Sequence, residues 1–153
     1  MIRTHTRLRV CITLIVCNLI FIWGNSLLPG QISGAFSDWV KDLLSPLFSL
    51  GGGSSVGGGL LRKFAHFAEF AALGVCLRWL LGMLDTKPIR QWLIPVTGAF
   101  LVACVDETIQ MFVPDRGPGI KDVAIDTAGA MLGIVILSCI HHFKLKALED
   151  SIP

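Results

Sequence analysis

The chain has 153 residues, 53% of them hydrophobic and 16% charged, with a mean hydropathy of +0.69. Soluble domains carry about 25% charged residues, so this balance excludes an ordinary water-soluble globule and points to lipid as the solvent. The net charge is only +2, and no basic patch interleaved with aromatics offers a nucleic-acid surface.

The first apolar run, VCITLIVCNLIFIWGNSLL, is uncharged and follows Arg3, Arg7 and Arg9. No small-residue cleavage site follows it, so we read a retained span over about residues 9–28, ended by Pro29 and Gly30. Residues 31–50 then place Ile32, Phe36, Trp39, Val40 and Leu43 at helical spacing, with Asp38, Lys41 and Asp42 mainly on another face. That pattern predicts an amphipathic helix lying in the membrane interface. GGGSSVGGG at 51–59 reads as a linker, and it lacks the Lys and Ser/Thr of a phosphate loop.

Three further spans follow, at about 60–84, 90–113 and 121–143. Pro95 falls inside the third, and PDRGPG makes a tight turn before the fourth. The expected architecture is therefore all-α: one transmembrane domain over 1–153, four membrane helices, and an interfacial helix between the first and second. Cys11, Cys17, Cys76, Cys104 and Cys139 all lie in apolar runs without C-x-x-C spacing, which excludes a disulfide framework or zinc ribbon. Arg3, Arg7, Arg9, Lys87, Arg90, Lys144 and Lys146 favour cytoplasmic termini under the positive-inside rule. The opposite face keeps Lys41, Arg62, Lys63, Arg116 and Lys121.

Three separate segments carry their ionisable residues toward that second face. Arg62, Lys63, His66 and Glu69 open the second span; Asp106, Glu107 and Gln110 close the third; Asp122 and Asp126 open the fourth. Arg62, His66 and Glu69 at i, i+4 and i+7 share a helix face, and Gly129 and Gly133 form a G-x-x-x-G that admits a neighbouring helix. A charge at the centre of a membrane helix costs at least about 2.5–3.5 kcal/mol. Snorkelling accounts for Arg62, Lys63 and Lys121; His66, Glu69, Glu107 and Asp126 lie one or two turns inside and are the candidates for chemistry.

RKFAHFAEFAALG and DETIQMFVPDRGPGIKDVAIDTAGAMLG together resemble the VanZ-like family of small bacterial membrane proteins, as does WGNSLLPG after the first span. Phe70 stands where Tyr is common in that family. The resemblance implies a multi-pass protein of the bacterial inner (cytoplasmic) membrane, part of the cell envelope, whose namesake is linked to resistance to the glycopeptide teicoplanin.

Three readings compete for the cluster. Arg62, Lys63 and Arg116, with Asp106, Gln110 and Asp122 around them, would bind an envelope lipid or a lipid-linked precursor. Alternatively, His66 and Glu69 with Glu107, Asp122 or Asp126 would hold a divalent metal in an intramembrane hydrolase. A small proton-coupled carrier is the third, and four spans would need a homo-oligomer to line a pathway. No H-E-x-x-H or nucleophile motif around Ser26, Thr108 or Thr127 decides for an enzyme, and no cofactor is named by the sequence.

Overall fold

The computed structural model describes residues 2–35, 39, 58–84, 86–117 and 119–150. Its elements are α1 (Ile2–Ser26), a short α2 (30–35), α3 (Gly58–Met83), α4 (Arg90–Gln110) and α5 (Ile120–Glu149). Four of these are long and apolar enough to cross a membrane. No strand occurs among the described residues. Most of the predicted interfacial segment, and residues 51–57 of the linker, lie outside the described residues; Gly58 and Gly59 already belong to α3.

Apolar side chains cover the outside of this bundle. Ile12, Val16, Ile20, Leu93, Leu101 and Ile136 are all exposed along their helices. In water such a surface would drive aggregation; in hydrocarbon it is the solvated face. The interior is built from small residues and a few large ones. Ala99 and Ala103 of α4 and Ala130 of α5 are fully buried beside Ile22, Phe70 and Leu73.

The tightest packing joins α3 to α5. A Cβ added at Gly129 would run into the Phe67 carbonyl, one at Gly133 into that of Ala71, and one at Gly74 into that of Ala130. The two backbones are thus in van der Waals contact over two turns, as the G-x-x-x-G spacing requires. Since lipid supplies no hydrophobic force between helices, this close fit is a main source of attraction.

Pro95 is buried within α4 and costs the helix its bond to the Gln91 carbonyl. At the other end of α4, Pro114 and Asp115 dock on the segment after α1. Gly30 N–H donates to the Pro114 carbonyl (3.1 Å), and Gln31 Nε2 donates to Asp115 Oδ2 (3.0 Å). Asp115 adopts φ 58°, the left-handed region that Asp tolerates better than most residues. A side chain at Gly30 would collide with the Asp115 carbonyl, so this turn demands glycine.

Candidate functional site

The C-termini of α1 and α4 and the N-termini of α3 and α5 meet at one end of the bundle, and the polar residues gather there. They line a cavity of about 300 Å³ walled by Arg62, Lys63, His66, Glu107, Gln110 and Asp126. Asp122 lies at the same wall and pairs with Lys63 at 2.7 Å, the two side chains 31% and 47% exposed. At that exposure the pair contributes about 0–1 kcal/mol and serves mainly to place the lysine at the rim.

Deeper in, the hydrogen bonds run in series. Arg62 Nη2 donates to Gln110 Oε1 (2.7 Å), and Gln110 Nε2 donates to Asp106 Oδ2 (2.9 Å) and Ser26 Oγ (3.1 Å). One amide therefore ties α1, α3 and α4 together and fixes the Asp106 carboxylate. His66 Nδ1 faces that carboxylate at 3.8 Å, too far for a hydrogen bond. His66, Asp106 and Asp126 come together, each offering a donor atom within 4.8 Å of the others.

Glu69 turns elsewhere. Its Oε1 accepts from Asn25 Nδ2 of α1 at 3.2 Å, and its side chain lines a separate groove of about 580 Å³ between α1 and α3. Cys17, Ile20, Phe21 and Leu28 make most of that groove apolar, and Arg62 borders both it and the polar cavity. Glu107 is spent on structure: its Oε2 accepts the N–H of Gly119, the residue capping α5, at 2.8 Å. A carboxylate there also complements the positive end of the helix dipole.

Arg116 does not line the cavity wall. Its Nε and Nη2 donate to the carbonyls of Leu28 (3.0 Å) and Asn25 (2.8 Å) where α1 ends. Burial, then the neighbouring Arg62, pushes its guanidinium below the usual arginine range. Thr108 and Thr127 donate to carbonyls of their own helices, at 2.7 Å to Cys104 and 2.7 Å to Val123, and neither is placed as a nucleophile.

The VanZ/LLP1 profile matches residues 6–141, which take in α3 and α4, most of α1 and α5, and every residue of the polar cavity and groove. The chain belongs to the VanZ/LLP1 family. Comparison with the curated proteins and with the solved structures gives no match. In this VanZ-family chain sequence reasoning passed over Asn25 as a site residue and weighed Ser26 only as a nucleophile, not as a hydrogen-bond partner of Gln110. Both sit at the end of an uncharged apolar run, where a polar pair is itself the signal.

Proposed function

We propose that this VanZ-family chain binds the anionic headgroup of an envelope lipid, or of a lipid-linked envelope precursor, in the polar cavity, with its hydrocarbon in the groove between α1 and α3. The observation that carries the reading is Arg62, whose side chain borders both spaces. An amphiphile needs a polar site and an apolar one side by side, and the cavity and groove supply them. Lys63 at the rim adds a second cation for a phosphate or carboxylate.

The location belongs to the same proposal: a bacterial cytoplasmic membrane, both termini cytoplasmic, and the cavity at the outer leaflet. The basic residues before α1, between α3 and α4, and at the end of α5 support that orientation.

Mass spectrometry of lipids that co-purify in mild detergent tests the binding. Anionic envelope lipid should accompany the parent and be depleted in Arg62→Gln. A hydrogen bond to a charged group contributes about 1.5–3 kcal/mol, so affinity should fall about tenfold or more. Unselective carriage of bulk phospholipid by both proteins would sink the proposal. A part in glycopeptide resistance comes from family membership alone. It is tested by teicoplanin susceptibility of a sensitive host expressing the parent or Arg62→Gln, and a parent that gives no protection removes it.

A further inference from the structure

We infer that His66, Asp106 and Asp126 form a binding site for a divalent transition-metal ion at the inner end of the polar cavity. The inference rests on observations separate from the lipid reading. All three residues are at least nine-tenths buried, at 7%, 0% and 1% exposure. Among them, both nitrogens of His66, Oδ1 of Asp106 and Oδ2 of Asp126 are buried without a hydrogen-bond partner. A buried polar atom left unsatisfied costs about 1–3 kcal/mol, and these three residues, which carry four such atoms, bring one ligand atom each within 4.8 Å of the others.

Charge makes the same point. Glu69, Asp106, Glu107, Asp122 and Asp126 share this end of the bundle with Arg62, Lys63 and Arg116. Adding the neighbouring Asp115 and Lys121 leaves the balance unchanged. With every group ionised, two negative charges have no countercharge among the described residues at this end of the bundle. Neutralising that excess in a lipid-flanked site takes two protons or one dication. A cation between the three side chains would balance the charge and take one ligand atom from each, including one of the two orphaned His66 nitrogens. It would also relieve the repulsion that surplus carboxylates exert on an anionic headgroup.

The donor set and its spacing fit. Ligands about 2.1 Å from a common ion lie about 3.0–4.2 Å from one another in octahedral or tetrahedral geometry. The His66 Nδ1 to Asp106 Oδ2 distance of 3.8 Å already falls in that range, and no pair of the trio's ligand atoms exceeds 4.8 Å. One imidazole nitrogen and two carboxylates suit Mn²⁺, Fe²⁺ or Zn²⁺ better than the all-oxygen preference of Mg²⁺ or Ca²⁺. Gln110 Nε2 donates to Asp106 Oδ2, a hydrogen bond of the kind that orients metal-binding carboxylates. His66 and Asp126 line the cavity, so the ion's remaining positions would face it and accept water or a phosphate oxygen. The set differs from the one read in sequence: Asp106 takes the place expected of Glu69, and of the three alternatives Glu107, Asp122 and Asp126 it is Asp126 that joins His66.

The test uses the full-length, tag-free chain in detergent, stripped with chelator, reloaded separately with Mn²⁺, Fe²⁺ or Zn²⁺, desalted and measured by elemental analysis. A stoichiometric ion should stay with the parent, and Asp106→Asn and Asp126→Asn should lose it. Gln110→Ala should weaken it by about 10–100-fold. Retention in both Asn variants overturns the site, as does a parent that holds none of the three ions.

Should the Asn variants fail to fold, His5, His141 and His142, far along the bundle, are replaced by Gln. Pulsed electron paramagnetic resonance of bound Mn²⁺ must then show nitrogen coupling from His66, and its absence overturns the proposal. Metal without anionic lipid would remove the headgroup reading and keep this one; lipid without metal would do the reverse.

Discussion

Glu107 shows how a buried carboxylate in a membrane helix can be structural. Its Oε2 holds the N–H of Gly119 at the start of α5, so the group is bonded and near a helix dipole that favours it. Replacing it with Ala strands that N–H and should cost about 1–3 kcal/mol, lowering the unfolding temperature in detergent. Glu107→Gln keeps an oxygen acceptor and should recover most of the loss. Equal melting of all three proteins would contradict the capping role. His66 presents the opposite case: an imidazole equally buried yet bonded to nothing, whose cost is unrewarded unless something binds it.

For the helices, the contact between α3 and α5 is the element on which the site depends. It sets His66 and Asp126 at matching depth, because the Gly129 and Gly133 faces leave no slack along the helix axes. Gly129→Ala would press a methyl group into the Phe67 carbonyl and should destabilise by about 1–3 kcal/mol through overpacking. Gly98→Ala is the control. A Cβ there meets only Leu77 Cδ1 at 3.8 Å, an ordinary contact, and Ala is the better helix former by about 0.5–1 kcal/mol. Thermal unfolding in one detergent should therefore move in opposite directions for the two variants; a parallel shift would mean the helices do not pack as described.

Across the molecule, polar groups are concentrated where α1 and α4 end and α3 and α5 begin, while the lateral surface is hydrocarbon. The proposed orientation gives a clear labelling pattern in a cysteine-free background. Gly117→Cys, in the turn beside the cavity, should react with an impermeant maleimide on intact cells. Lys87→Cys, in the turn at the opposite end, should react only after lysis. The reverse pattern would place the cavity at the cytoplasmic leaflet and require a substrate from that side.

The membrane helices were legible in the sequence because a span of lipid needs about 20 apolar residues and leaves an unmistakable run. Their ends were less so. Helix α1 begins at Ile2, well before the apolar run, and α5 continues to Glu149 through the polar tail, since a backbone helix does not stop where hydrocarbon does. Helix α4 stops at Gln110, ahead of the apolar MFV that the span reading included. The gathering of ionisable residues at one end also followed from sequence, from span order alone. What each of them touches did not. Positions 66 and 69 differ by only about 60° around a helix, yet His66 meets Asp106 of α4 while Glu69 meets Asn25 of α1. That choice depends on the rotation of α3 between its neighbours, which the glycine contact with α5 fixes. Sequence thus determined the solvent, the helices and the polar end; the tertiary structure decided which three side chains converge, because partner choice is set by how close two backbones can come.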